Sequence, residues 1–261
     1  MQSLKSSGYT FQTFEQFLVS PLEKAIILRH DVDLLPLQSL KTARIENQLG
    51  ILSTYYFRII PESNKPDIIR EIASLGHEIG YHYEDMSDPS NLTNENLGRF
   101  ENAIISFKTN LEYFRQFYPV RTISMHGSPM SKYDNRDLWK HYNYKDFGLT
   151  GEPYFDIDFS KVMYLTDTGR RWDGESVSVR DKVNKAAISQ YEKNSIMAKR
   201  IKTTRDIIRL AEENELPPQI MITVHPQRWS NNPLVWLKEL AMQNTKNLVK
   251  RFIVNSKETD Y

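Results

Sequence analysis

The chain has 261 residues, 39% hydrophobic and 26% charged, with a formal net charge of +1. That is the balance of an ordinary globular protein large enough to bury a full core, and it gives no case for a nucleic-acid partner. Cysteine is absent, which excludes disulfides, thiolate ligands and a thiol nucleophile and leaves histidine and carboxylate for any metal. No apolar run approaches the ~20 residues that span a bilayer. The stretch from Met1 to Thr10 lacks a basic segment followed by an apolar one, so a cytoplasmic protein without a leader is expected.

Strand-type and helix-type runs alternate along the sequence. A strand over 25–33 closes on Arg29-His-Asp-Val-Asp and precedes a helix over 36–48. Ser53 to Ile60 is rich in β-branched and aromatic residues, as strands are. A helix over 66–75 stops at Gly76, and Glu78-Ile-Gly-Tyr-His-Tyr-Glu is the next strand. Leu97, Phe100, Ile104, Phe107, Leu111 and Phe114 recur three and four apart and mark the clearest amphipathic helix, its stripe being core packing. Pro119 ends it, and strands over 120–126, 162–166 and 220–225 follow, with a helix over 204–214 before the last. Asn232-Pro233 starts a closing helix that runs to about Phe252. No repeat or low-complexity linker divides the chain, so one domain over 1–261 is expected. The alternation predicts a parallel sheet with crossover helices, either a barrel or an open doubly wound sheet.

Polar residues gather at the predicted strand ends: Asp31 and Asp33, His82 and Glu84, His126, and His225. In a parallel barrel those ends share one face, the face on which sites are built. Asp31 and Asp33 are two apart and share a side of their strand. Two adjacent anions repel unless a cation stands by them, so a divalent metal with one carboxylate as ligand and the other as base meets the need. Of the six histidines, His30 alternates away from Asp31 and is expected to be structural. His77 and His82 lie on opposite faces of an extended segment, so one of them at most is a ligand, and His82 is nearer the strand end. His141 reads as a surface residue. His126 precedes Gly127 and Pro129, and His225 precedes Pro226, so both imidazoles stand at a rim where the chain turns. Together with Asp33 they amount to two nitrogens and a carboxylate, a common catalytic zinc set. Arg170, Arg171 and Trp172 are suited to a sugar face and an anionic group, and Arg228 and Trp229 behind His225 extend that set. From Arg170 to Arg205 ten Lys and Arg stand against four Asp and Glu, a bias that fits either a solvated helical or loop region or a flap over 170–205 closing on an anionic substrate.

Three blocks, Arg29-His-Asp-Val-Asp, Gly76-His-Glu-Ile-Gly-Tyr-His and Ile222-Thr-Val-His, resemble in order the metal-site and catalytic motifs of the NodB-like polysaccharide deacetylases, a carbohydrate esterase family. The resemblance implies a distorted parallel (β/α) barrel of about seven strands, a divalent metal that is usually zinc, and removal of N- or O-acyl groups from sugars. By position it implies that Asp31 is the catalytic base, Asp33 and His82 are metal ligands, and His225 is the general acid. The family usually has a second metal histidine four residues after the first, where this chain has Met86. A thioether is a poor zinc ligand beside a carboxylate, so His126 is the favoured replacement, with Glu84 and Asp85 as alternatives. Arg29 and Arg171 are the candidates to orient Asp31. The expected substrate is an acylated sugar, nucleotide- or lipid-linked given the basic 170–205 region. The rival reading is a degraded deacetylase-like protein that binds a glycan without cleaving it.

Overall fold

Residues alternate strictly along the central strand, with Ile26, Leu28 and His30 on one side and Ile27, Arg29 and Asp31 on the other, and all are buried. Burial on both faces is the mark of a parallel strand covered by helices. The structure is a computed structural model that describes residues 1–88, 98–128, 131–170, 172, 200–230, 232–234, 236–237 and 240–241. Its strands are β1 (Thr10–Gln12), β2 (Ala25–Val32), β3 (Thr54–Phe57), β4 (Glu78–Tyr83), β5 (Ile123–Met125), β6 (Met163–Thr166) and β7 (Gln219–Val224). The helices are α1 (Gln2–Ser6), α2 (Phe14–Val19), α3 (Pro36–Gln48), α4 (Pro66–Ser74), α5 (Arg99–Arg115), α6 (Pro153–Asp156) and α7 (Thr204–Glu212).

All the pairings are parallel. From β2 the sheet runs through β3 and β4 to β5, while β7 lies on the other side of β2 with β6 beyond it. Apart from β5 and β6, consecutive strands are therefore neighbours, and β7 returns to β2, which is the winding of a barrel. Among the described residues no ladder joins β5 to β6, and Thr122 bridges Gly151 at that seam. The result is a distorted (β/α) barrel, one of the two architectures the alternation of elements allows and the one the family resemblance implies. β1 pairs only with Ala25–Ile27 at the lower end of β2, and β3 takes the upper end from Arg29 to Val32.

The outward faces supply two cores. Tyr55, Phe57, Ile79, Tyr81 and Ile123 meet the apolar sides of α4 and α5, and Ile26, Leu28, Met163, Ile220 and Ile222 meet α7. The stripe on α5 buries Ile104, Phe107, Leu111 and Phe114 as its spacing predicts, whereas Leu97 lies outside the described residues. Gly76 has φ +91° just past α4, a left-handed position suited to the residue after a helix. His30 points into the outer layer and meets Glu46 of α3 at 2.7 Å, the structural role its parity predicts. His77 lies near the same carboxylate, held by Ser53 and the Ala43 carbonyl. His141 is exposed.

Several boundaries differ from the sequence reading. The strand expected over Ser53–Ile60 stops at Phe57, because Arg58 turns to make two hydrogen bonds to Glu84, of 2.8 and 2.6 Å. The strand expected over 120–126 is three residues long. In the expected closing helix, residues 233–234, 236–237 and 240–241 are helical, and the remainder to Phe252 lies outside the described residues. The expected 170–205 flap is likewise outside them except for Arg170, Trp172 and the stretch from Arg200. No helix among the described residues is long and apolar enough to cross a membrane.

Candidate active site

The inward positions of the strands change character along the barrel. Ile27, Tyr56 and Met221 fill the lower interior with Phe14 and Phe17, and above them every inward residue of β2, β4 and β7 is polar or glycine: Arg29, Asp31, Gly80, His82 and Thr223. Gly80 has a steric cause. Tyr56 pairs with it across the β3–β4 ladder and reaches over it to place its hydroxyl 3.0 Å from Thr122 Oγ1. A Cβ on Gly80 would sit 2.9 Å from the Thr122 carbonyl oxygen and closer still to the Tyr56 ring.

Arg29 lies directly beneath Asp31. Its Nε donates to Asp31 Oδ1 at 2.7 Å and its Nη2 to Oδ2 at 2.6 Å, and both side chains are buried. Burial pushes the Asp31 carboxyl up, but Arg29 and then His82 more than offset it, and the group is held below the usual carboxylate range. The bidentate clamp fixes the plane of the carboxylate and leaves a lone pair on each oxygen. Of the two arginines considered for this task Arg29 occupies it, and Arg171 lies outside the described residues.

Beyond Val32 the Asp33 N–H donates to the Asp31 carbonyl at 3.1 Å. The chain turns through Leu35, whose φ of 53° is left-handed, into Pro36 at the start of α3. This turn brings Asp33 among the histidines. Its Oδ1 stands 3.2 Å from His126 Nδ1 and 3.7 Å from His82 Nε2, and its Oδ2 stands 3.9 Å from His225 Nε2. The ligand atoms of Asp33, His82 and His126 all lie within 4.8 Å of one another. His82 Nδ1 lies 2.9 Å from the Ser124 carbonyl; donating there, it leaves Nε2 as an acceptor facing Asp33. Burial first of all lowers the His82 pKa to about 4, so the ring is neutral at physiological pH, as a ligand must be. Burial raises the Asp33 carboxyl, but His126 foremost, with His225 and His82, holds it well below the usual range. Asp33 Oδ1 is a buried oxygen that no group meets with hydrogen-bond geometry, His126 Nδ1 included despite its 3.2 Å approach. An ionised carboxylate with an unsatisfied buried oxygen, converging with two imidazole nitrogens, fits a divalent metal.

The alternatives at the missing family position are otherwise engaged. Glu84 is taken by Arg58. Asp85 accepts from Tyr81, Ser106 and Asn110, and Met86 is buried in the outer core. None of the three joins the cluster at Asp33.

On the opposite wall, His225 Nδ1 meets Asp167 Oδ1 at 2.6 Å, and the His225 N–H donates to Oδ2 at 3.0 Å. Arg228 and the Trp229 indole also donate to Asp167, at 2.7 and 2.8 Å. Burial and Arg228 lower the His225 pKa, but Asp167 and then Asp33 outweigh them and the pKa is raised. The buried Asp167 is held far below the usual carboxylate range, chiefly by Arg228 and His225 against its burial. Asp167 is the residue the sequence reading missed. Its only local sign is that it follows the last residue of β6, whose pairing of Thr166 with Thr223 sets it beside the end of β7. The substrate-binding candidates divide accordingly. Arg228 and Trp229 brace Asp167, while Trp172 is buried against the outer core with its indole donating to Thr204.

The fold and these side chains define a class: a parallel barrel carrying a carboxylate–histidine cluster and a carboxylate-tethered histidine on the C-terminal face. No protein-family profile and no curated protein sequence matches the chain. Among solved structures it is similar to a family 4 carbohydrate esterase from Bacillus anthracis, with 11% identity over 94% of this chain and 83% of that one, TM-score 0.42. It is similar at 15% identity and TM-score 0.39 to a peptidoglycan N-acetylglucosamine deacetylase, over 94% of this chain and 91% of the other. It is also similar to a family 4 pseudoenzyme from Bacillus anthracis, at 13% identity and TM-score 0.42, over 85% of this chain and 62% of that one. The first two are described as a carbohydrate esterase and a deacetylase, and the third as a pseudoenzyme.

Proposed function

We propose that the protein is a metal-dependent deacylase that hydrolyses an N- or O-acetyl group on a sugar. The observation that supports this best is the convergence of Asp33, His82 and His126 with Asp31 on one side and His225 on the other. Asp33, His82 and His126 would hold the ion, with zinc the best match to two nitrogens and one carboxylate. Such an ion supplies Lewis acidity toward the acyl oxygen and brings a water toward ionisation near neutral pH.

The rest of the reaction falls to the chain. Asp31, held ionised by Arg29, is the base that takes the proton of the attacking water through a lone pair the guanidinium leaves open. His225 is the acid. Its Nδ1 proton is committed to Asp167, so Nε2 faces the site and can hand a proton to the departing amine or alcohol. The substrate is an acylated sugar, nucleotide- or lipid-linked in keeping with the basic character of 170–205.

The deciding experiment is elemental analysis of protein purified without chelator, repeated on His126→Ala. One equivalent of a divalent ion, lost in the variant, supports the cradle and justifies screening acetylated sugars. Metal retained in the variant would overturn the role of His126, and no metal even after adding zinc would favour a glycan-binding protein without activity. Asp31→Asn should lower turnover about 10²–10⁴-fold while metal stays bound, whereas Asp33→Ala should lose both. Equal metal loss in the two variants would overturn that division of roles.

A further inference from the structure

The turn that follows β7 carries more than His225. Pro226–Arg228 form a single 3-10 turn that packs against α3 and β2. The Arg228 N–H donates to the His225 carbonyl at 2.9 Å and the Trp229 N–H to the Pro226 carbonyl at 3.0 Å. Ser230 ties the turn to α3 by accepting from Gln38 Nε2 at 3.1 Å. Gln227 lies inside this turn, 6% exposed. Its Nε2 donates to Asp33 Oδ2 at 3.3 Å.

That bond is the one hydrogen bond of the carboxamide among the described residues, because Oε1 is buried and meets no donor. A buried amide with one end unsatisfied costs free energy that an apolar side chain of the same length would not. What the amide provides in return is its hold on Asp33. The two oxygens of that carboxylate face different ways. Oδ1 stands 3.2 Å from His126 Nδ1 and 3.7 Å from His82 Nε2, whereas Oδ2 meets Gln227 and, farther off, His225 Nε2 at 3.9 Å. Asp33 lies beyond the last residue of β2, so the sheet does not fix its side chain. The Gln227 N–H does, and being neutral it leaves the full negative charge for a cation at Oδ1.

We infer that Gln227 is a positioning residue. It holds Asp33 Oδ2, presents Oδ1 toward His82 and His126, and keeps the carboxylate from turning onto His225. The inference rests on the deacylase reading, in which Asp33 serves the ion and His225 serves the leaving group.

Gln227→Met keeps the length of the side chain and removes the donor. The first test is urea unfolding in chelator of the natural chain, Gln227→Met, Asp33→Ala and the double variant. Gln227→Met should lower the midpoint more in the natural chain than in Asp33→Ala, where the amide has lost its partner. An equal effect in the two backgrounds overturns the inference, and this result involves neither metal nor turnover. The second test is zinc affinity, measured by competition with a coloured chelator. Gln227→Met should weaken it about 10–100-fold, and the visible bands of the cobalt-loaded protein should shift. Gln38→Leu, which releases the same turn from α3 without removing the donor to Asp33, should leave both unchanged. Unaltered zinc affinity in Gln227→Met, or an equal loss in Gln38→Leu, overturns the positioning role while the deacylase reading stands. Failure of the natural chain to bind zinc overturns that reading instead.

Discussion

Arg29 is 2% exposed and its guanidinium has Asp31 as its bidentate partner, with the Tyr56 ring 5.5 Å away. Removing one member of a buried pair strands the other, which typically costs about 3–5 kcal/mol. Arg29→Met should therefore destabilise by that order in urea denaturation, and adding Asp31→Asn in the same chain should recover part of the loss. A double variant as unstable as the two losses summed would show that the pair is not coupled. Asp85 makes the opposite point about buried carboxylates. Burial pushes it up to about 6 despite donors from Ser106, Tyr81 and Asn110. A carboxyl whose folded pKa lies above its unfolded value of ~3.9 gives its full stability below that lower value and loses it as pH rises through the folded one. Asp85→Asn should thus gain on the natural protein between pH 4 and 7, by on the order of 1–3 kcal/mol. A difference in melting temperature that stays flat over that range would refute the assignment.

At the scale of elements, the ladder β3–β4–β5 depends on the notch at Gly80. Gly80→Ala would drive a methyl into the Tyr56 ring and the Thr122 carbonyl, and overpacking of this kind costs about 1–3 kcal/mol or more. The strain falls between β4, which carries His82, and the chain leading into β5, which precedes His126. A loss of thermal stability accompanied by loss of metal is the expected result; calorimetry and metal analysis check it, and an unperturbed variant would show that the ring can move aside. The same ladder shows what the sequence made legible. β2, β4 and β7 each end an apolar run on a polar residue, so their strand ends and inward residues could be read from parity alone. His126 was read from the turn that follows it rather than from parity, because its closeness to Asp33 depends on β5 pairing with β4 so that Ser124 lies opposite His82 and His126 follows just beyond. Asp167 was hidden for the same reason, as β6–β7 register alone brings it to His225. The elements α1, β1 and α2 are three to six residues long, too short to show a period, and the lower half of β2 is paired through one of them.

Across the whole molecule, the candidate ligands hang from separate parts of the wall: Asp33 after β2, His82 within β4 and His126 after β5. The barrel lacks a ladder between β5 and β6 among the described residues, so β5 is held by a three-pair register with β4 and by the bridge beside it. An ion bound to all three side chains would tie β5 to β2 across β3 and β4, and would bind the folded chain far better than the unfolded one, where the ligands are dispersed. Linkage then sets the size of the effect: at a hundredfold excess of free ion over its Kd the folded state gains about 2.7 kcal/mol. For a chain of this length that corresponds to a rise of about 5–10 °C in Tm. Zinc should produce that rise in the natural protein and in His225→Ala, and should fail to produce it in Asp33→Ala and His126→Ala. His225 is the informative member of the set, because its Nε2 lies within 3.9 Å of Asp33, close enough to compete for a coordination position. If His225→Ala lost the shift as fully as His126→Ala, His225 would be a ligand and the general acid would have to be found elsewhere. If it kept the shift while losing turnover, the division between the side chains that hold the ion and the one that moves the proton would stand.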